Sequence, residues 1–178
     1  MKLPELKIGE LTAKIPVIQG GMGIGISLNR LAGTVAAEGG IGILSTAQIG
    51  FQEDKFQRAS VRTNLQTIKK QLDKARSFAK GGILGFNVMV ASFRYDDVVR
   101  ATVEAGADVI ISGAGLPMNL PELVGNAKTK IAPIVSSVKA AKIILRNWAK
   151  KYNRTADFVV IEGPKAGGHL GFKASEID

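Results

Sequence analysis

Cysteine is absent from this 178-residue sequence, and histidine occurs once, as His169. Without cysteine the chain has no disulfide, no thiolate metal ligand and no thiolate nucleophile. A single histidine also excludes a site with several imidazole ligands, and we predict no metal site. No apolar run approaches the roughly 18 residues of a membrane span, and Met1–Glu5 lacks the apolar core of a signal peptide. We therefore expect a cytoplasmic protein without a membrane partner.

The net charge of +9 raises the alternative of a basic module that binds nucleic acid. Ten of the 24 basic residues fall on two amphipathic stretches, where they are typical of the solvated faces of helices. Aromatic residues are only 6% of the chain and offer little base stacking. We therefore predict no nucleic-acid partner. The basic residues of the two stretches are Lys69, Lys70, Lys74, Arg76 and Lys80, and Lys139, Lys142, Arg146, Lys150 and Lys151.

Short apolar segments alternate with amphipathic helices along the chain. Nearly continuous apolarity is typical of parallel strands that are covered on both faces, and the alternation predicts the α/β class. Two architectures fit, a doubly wound open sheet and a (β/α)8 TIM barrel. The predicted strands are Pro16–Gln19, Ile41–Leu44, Ile83–Val90, Asp108–Ile111, Ile131–Val135 and Phe158–Ile161, and the predicted helices are Ser27–Glu38, 63–80, Tyr95–Ala105, Pro121–Val124 and Val138–Lys151.

The helix after the second strand is expected to begin near Thr63, because Thr63 and Gln66 have the spacing of a capping box. A long loop from Ser45 to about Arg62 then precedes it. This loop either covers the site as a lid or is a solvent-exposed connection.

Glycine and small polar residues follow the carboxyl end of nearly every predicted strand. In a barrel these ends ring one mouth, where the active site forms. In an open sheet they would be spread along an edge. The glycines of Gly21–Gly25 do not have the G-x-G-x-x-G spacing of a dinucleotide fold, and no acidic residue ends the second strand. The sequence therefore predicts the barrel.

Two of these segments carry the clearest candidate chemistry. Gln19–Gly23 offers backbone groups that a flat heterocycle can approach, because glycine has no Cβ; a tight turn is the structural alternative. His169 follows Gly167 and Gly168, and imidazole exchanges protons near neutral pH. Its position at a strand end favours function over a structural histidine.

Other polar residues leave alternatives open. Asn87 lies in an apolar strand and must find partners, either on neighbouring backbone or on a ligand. Ser137 is as consistent with a helix cap as with a ligand contact. Glu162 either supports the glycine loop that follows it or simply marks a strand end. Gly113 and Gly115 are expected to line the mouth.

Four segments together resemble one family, the FMN-dependent nitronate monooxygenases (2-nitropropane dioxygenases), and their relatives, the FMN-dependent enoyl-acyl-carrier-protein reductases. The resemblance covers essentially the whole chain. Its most specific part is Ala166-Gly167-Gly168-His169-Leu170-Gly171. The four segments are Pro16–Met22, Gly85–Met89, Ile111–Gly115 and Glu162–Gly171.

The resemblance implies a (β/α)8 barrel with FMN at the mouth and His169 as the catalytic residue, acting as a base or orienting the substrate. The implied activity is oxidation of an alkyl nitronate with O2; the alternative is NAD(P)H-dependent reduction of an enoyl thioester. The residues implied to contact FMN are Gln19, Gly21, Met22, Gly23, Asn87, Gly113, Gly167 and Gly168.

A barrel needs eight strands and about 250 residues, whereas six strands are predicted here. Residues 1–178 are therefore expected to be the N-terminal part of a single FMN-binding barrel domain that lacks its C-terminal strands. On its own the chain is expected to bind FMN weakly or not at all. A non-enzymatic alternative is an inactive fragment that functions only on assembly, including as a homo-oligomer; a basic binding module is the third hypothesis.

Overall fold

The structure is a computed structural model that describes residues 3–172 and 175. It opens with an antiparallel hairpin of two short strands, β1 (Leu6–Ile8) and β2 (Leu11–Ala13), which the sequence pattern did not predict. Each strand has only three residues, too few to show a period of two. Ile8 and Ala13 are nonetheless buried against the central sheet. The hairpin is therefore part of the fold.

The central sheet has five parallel strands, and each strand pairs with the next one along the chain. Helices follow β3 to β6 on the outer side and return the chain to the amino end of the sheet, as in a βαβ unit. In chain order the elements are α1 (Asn29–Ala37), β3 (Ile41–Ser45), α2 (Phe56–Arg76), β4 (Ile83–Met89), α3 (Tyr95–Glu104), β5 (Val109–Gly113), α4 (Leu120–Val124), β6 (Lys130–Val135), α5 (Val138–Tyr152) and β7 (Val160–Ile161).

Alternate residues of each strand belong to two separate cores. In β5, Ile110 packs outward with the helices, whereas Val109 and Ile111 face inward. The outer core contains the fully buried side chains of Phe86 and Trp148, and truncating such an aromatic residue to alanine typically costs about 3–5 kcal/mol. Burial on both faces explains why these strands read as continuous apolar runs.

The inner core lies on the concave side of the curved sheet, where the hairpin covers the amino ends of the strands. Lys130 at the start of β6 forms an ion pair of 2.7 Å with Glu10 in the hairpin turn. The opposite end of the sheet, at the carboxyl ends of the strands, stays open. This α/β architecture is a partial TIM barrel and confirms the predicted fold class.

The first predicted strand, Pro16–Gln19, is reduced to one parallel bridge between Ile18 and Ile41. Two backbone hydrogen bonds support it, from Gln19 N to Ile41 O at 3.0 Å and from Ile41 N to Val17 O at 2.9 Å. The segment therefore lies beside β3 where a further barrel strand would lie, but it pairs too briefly to count as a strand.

The predicted start of the second helix was wrong. Helix α2 begins at Phe56, with a kink at Ala59, so the preceding loop is shorter than predicted. Thr63 is buried inside the helix, where its carbonyl oxygen accepts a 2.7 Å hydrogen bond from the Thr67 hydroxyl. The capping-box spacing of Thr63 and Gln66 is thus a coincidence within a helix interior.

Among the described residues, no helix combines the length and the apolarity needed to cross a bilayer.

Candidate active site

A cavity of about 1450 Å³ lies over the carboxyl ends of the strands. Typical ligand pockets have volumes of roughly 300–1,000 Å³, so this cavity has room for a cofactor and a substrate together. Within the described residues, no cluster of three acidic or histidine side chains that could hold a metal ion is present. The predicted site residues that line the cavity are Gly21, Met22, Gly23, Asn87, Gly113, Gly167, Gly168 and His169.

The glycine loop Gly20–Gly23 is held by Ser27, whose side chain is completely buried. The Ser27 hydroxyl accepts hydrogen bonds from Met22 N at 2.9 Å and from Gln19 Nε2 at 2.8 Å. It donates to the Gly20 carbonyl at 3.1 Å. A hydroxyl has one proton and two lone pairs, so Ser27 uses its full capacity on this loop.

Gln19 does not line the cavity, unlike the other predicted cofactor residues. Its side chain is used inside the loop, where Nε2 donates to Ser27 and Oε1 accepts from Ile43 N at 3.2 Å. The structure thus gives the Gln19 side chain a supporting role in the loop, and its contact with the cofactor stays a prediction. Ser27 itself was interpreted only as a helix start, because its partners lie up to eight residues away.

The glycines of the cavity wall are required for two different reasons. A Cβ added to Gly21 would collide with the Asn87 side chain, including its Cγ at 2.9 Å, so close packing explains this glycine. A Cβ added to Gly20, Gly167 or Gly168 would meet nothing within 4 Å. Because the cavity lies in front of these three residues, their backbone is open to a flat ligand.

Asn87, near the end of β4, is half-buried and lines the cavity. Its backbone carbonyl accepts hydrogen bonds from Thr46 N at 3.2 Å and from Thr46 Oγ1 at 3.0 Å. Its side-chain amide has no hydrogen-bond partner within residues 3–172. A half-buried amide of this kind can donate to and accept from the edge of a heterocycle.

Gly113, the last residue of β5, and Gly115, two residues further on, line the cavity, as predicted. Behind this strand, the buried Ser112 hydroxyl donates to Val88 O at 3.0 Å and accepts from the Tyr95 hydroxyl at 2.9 Å. Burial raises the pKa of Tyr95 to about 12. The phenol therefore stays protonated and serves as a fixed donor that supports the cavity wall.

His169 lies in the loop that follows β7, and its exposed imidazole belongs to the cavity wall. Gly168, directly before it, has a φ of 84°, which favours glycine. Both ends of this loop are tied down, because Gly171 N donates to Glu162 Oε2 at 2.9 Å. The loop thus brings His169 to the same cavity as Gly20–Gly23 and Asn87.

Ser137 accepts a hydrogen bond from Ala140 N at 3.2 Å and caps α5, which confirms the capping interpretation.

The cavity wall also includes residues from the start of α2 and α3. The sequence pattern did not single them out, because their apolar spacing is that of any amphipathic helix. They are Ser60, Val61, Asn64, Leu65, Ile68, Arg94 and Val98.

The sequence model of the nitronate monooxygenase family matches residues 5–178. The chain belongs to the nitronate monooxygenase family. No curated protein matches the sequence significantly.

Two solved structures place this member of the family among known folds. FabK from Thermotoga maritima is 27% identical, with a TM-score of 0.68 over 88% of this chain and 43% of that one. Nitroalkane oxidase from Streptomyces ansochromogenes is 18% identical, with a TM-score of 0.66 over 88% of this chain and 49% of that one; this likeness shows the fold alone. The chain therefore spans less than half the length of either protein.

Proposed function

We propose that the chain forms the FMN-binding mouth of an oxidoreductase of the nitronate monooxygenase type, which oxidises alkyl nitronates with O2. One observation carries the proposal: the only histidine of the chain and the open-faced glycines share one cavity, at the strand ends where barrel enzymes place their chemistry. Family membership supports the reaction class.

The residues at the mouth fit a flavin. Gly20, Gly167 and Gly168 leave their backbone open toward the cavity, and Asn87 offers an amide with no partner among the described residues. Met22, which is 45% exposed, adds an apolar surface against which a flat ring can pack. We assign Gly21, Gly23 and Gly113 to the shaping of this wall, and Gln19 with Ser27 to its support.

FMN, when bound, supplies the electron-transfer chemistry. Two nitronates and one O2 balance to two carbonyl compounds and two nitrite ions, so nitronate oxidation consumes no further reductant. The contribution of the protein is to position the nitronate and to exchange protons. The His169 imidazole, within the same cavity, either donates a hydrogen bond to a nitronate oxygen or accepts a proton from the substrate.

The experiment that tests this proposal is a turnover assay with FMN in excess, in which nitrite release from an alkyl nitronate is measured for the wild type and for His169→Asn. Asparagine keeps a hydrogen-bond donor but cannot exchange a proton near neutrality. General acid–base catalysis typically contributes about 10²- to 10⁴-fold, so a loss of that size indicates proton transfer. Full activity in the variant would remove His169 from the mechanism.

A second candidate is the FMN-dependent enoyl reductase that the sequence resemblance also includes. It is favoured by the higher identity with FabK, 27%, than with nitroalkane oxidase, 18%. The two functions differ in their need for NAD(P)H, which the reductase consumes and nitronate oxidation by O2 does not. Rapid consumption of NAD(P)H with an enoyl thioester, without nitrite release from nitronates, would select the reductase.

A further inference from the structure

The loop that carries His169 begins and ends beside two neighbouring strand ends. Strands β6 and β7 are paired in register, with Val135 opposite Ile161. The ladder continues one step further, because Glu162 N donates to Val135 O at 2.9 Å. Ser136 and Glu162 are thus held side by side, one directly after each strand.

Both side chains bind the same residue, Gly171, nine positions after Glu162. The Glu162 carboxylate accepts from Gly171 N at 2.9 Å, and the Ser136 hydroxyl donates to Gly171 O at 3.0 Å. A Cβ on Gly171 would lie 2.8 Å from Ser136 Cβ and 3.0 Å from Glu162 Oε2. Gly171 is therefore required by contact with these two side chains.

Few other bonds order this loop. Between Gly163 and Leu170, the described residues form one backbone hydrogen bond, from Ala166 N to Gly163 O at 3.1 Å. Gly163, Gly167 and Gly168 leave the backbone with wide conformational freedom. The closure of the loop at Gly171 is therefore the main restraint on where His169 lies, two residues away.

We infer that Ser136, Glu162 and Gly171 form a latch that positions His169 over the cavity. Glu162 and Ser136 are positioning residues, because they act on the imidazole through the loop backbone. The inference rests on the proposed function only where it gives His169 a catalytic role. The hydrogen bonds of the latch do not depend on that function. The simpler interpretation is that Glu162 only marks a strand end and faces solvent. It does not explain why the N–H and the carbonyl of Gly171 are both hydrogen-bonded.

The experiment observes His169 directly by NMR of the chain with isotope-labelled histidine. Because His169 is the only histidine in the chain, its imidazole gives one assigned set of signals, with or without flavin. We expect signals displaced from those of free histidine in the wild type. In Glu162→Ala they should collapse toward the free values, and Glu162→Gln, which keeps an oxygen acceptor, should restore most of the displacement.

Glu104→Ala is the matched control, because it removes an exposed carboxylate at the end of α3, away from the latch. It should leave the His169 signals unchanged. Ser136→Ala removes the hydrogen bond to Gly171 O, the other side-chain contact of the latch. It keeps the inference testable if Glu162→Ala fails to fold. Wild-type His169 signals in a folded Glu162→Ala or Ser136→Ala variant would overturn the latch.

Turnover separates this inference from the proposed function. Misplacement of a catalytic group by about 1 Å can cost on the order of 100-fold in rate. If His169 acts on nitronates, the latch variants should lower kcat by roughly 10- to 100-fold, with a smaller change in KM. Displaced His169 signals in a wild-type protein that binds FMN but releases no nitrite would retain the latch and reject the function.

Discussion

The side-chain amide of Gln19 donates to the buried hydroxyl of Ser27 across 2.8 Å, and this bond connects the end of the bridge segment to the glycine loop. Ser27 then binds Met22 N and Gly20 O, so one hydroxyl fixes both sides of the loop. The wall of the cavity is therefore set by a residue that does not itself face the cavity.

Ser27→Ala is expected to loosen this loop. It removes the hydrogen bonds of the Ser27 hydroxyl to Met22 N, Gln19 Nε2 and Gly20 O, and a lost hydrogen bond typically costs about 0.5–1.5 kcal/mol. The free energy of unfolding in urea should fall by that amount, and the FMN affinity should fall as well. Ser77→Ala is the control, since Ser77 is exposed at the end of α2. Equal effects of the two substitutions would contradict the role of Ser27.

Gly21 and Gly167 should respond differently to alanine. Gly21→Ala collides with Asn87 and is expected to lower stability by roughly 1–3 kcal/mol. Gly167→Ala meets no protein atom within 4 Å, so the free energy of unfolding should stay unchanged while FMN affinity falls. Gly163→Ala, also free of neighbouring atoms within 4 Å, is the control outside the cavity wall. Denaturation and FMN titration of all three variants test this contrast.

The stability of the chain should depend on the ionisation of Tyr95 at high pH. Burial raises its folded-state pKa from 10.0 to about 12. This contribution to stability is fully present below about pH 10 and is lost as the pH rises through 12, with a total of about 3 kcal/mol at most.

Tyr95→Phe removes this dependence together with the hydrogen bond to Ser112. At neutral pH the wild type should be more stable by about 1 kcal/mol, and near pH 12 the order should reverse. Urea denaturation at several pH values measures the difference, and Tyr152→Phe serves as the control. A difference that stays constant with pH would show that Tyr95 does not titrate in this way.

The edge of the sheet at β7 should promote self-association. Ile161 is 83% exposed on this strand, and an exposed apolar strand edge is a template for pairing with another chain. Ile161→Lys is expected to shift the purified chain toward smaller species on a sizing column. Val138→Lys replaces another apolar residue, 71% exposed but on a helix, and should have little effect. If the two variants elute at the same position, the β7 edge is not the cause of self-association.

The strands of the sheet could be predicted because both of their faces are buried. Ile83–Met89 and Val109–Gly113 therefore show apolar runs that few other structures produce. The bridge segment at Ile18 has a similar composition but pairs at a single position, and pairing is not encoded in composition. The start of α2 was predicted wrongly for a similar reason. Thr63 lies inside the helix but has the sequence spacing of a capping box, which is also found at helix starts.

The candidate site could be predicted where residue type alone limits the chemistry. The single histidine and the paired glycines before it stand out in any reading of the sequence. The supporting contacts did not, because they join distant positions: Glu162 with Gly171 and Gln19 with Ser27. Gln19 was expected at the cofactor for its place beside the glycines, whereas its amide is used within the loop.

The most direct test of the central claim is a set of ¹H–¹⁵N spectra of the labelled chain recorded during titration with FMN, a method that also detects weak binding. The account predicts saturable shift changes concentrated at Gly20–Gly23, Asn87 and Gly167–His169, and their loss in Gly167→Ala. Saturable shift changes confined to the outer faces of α2 and α5 would contradict a flavin site at this mouth.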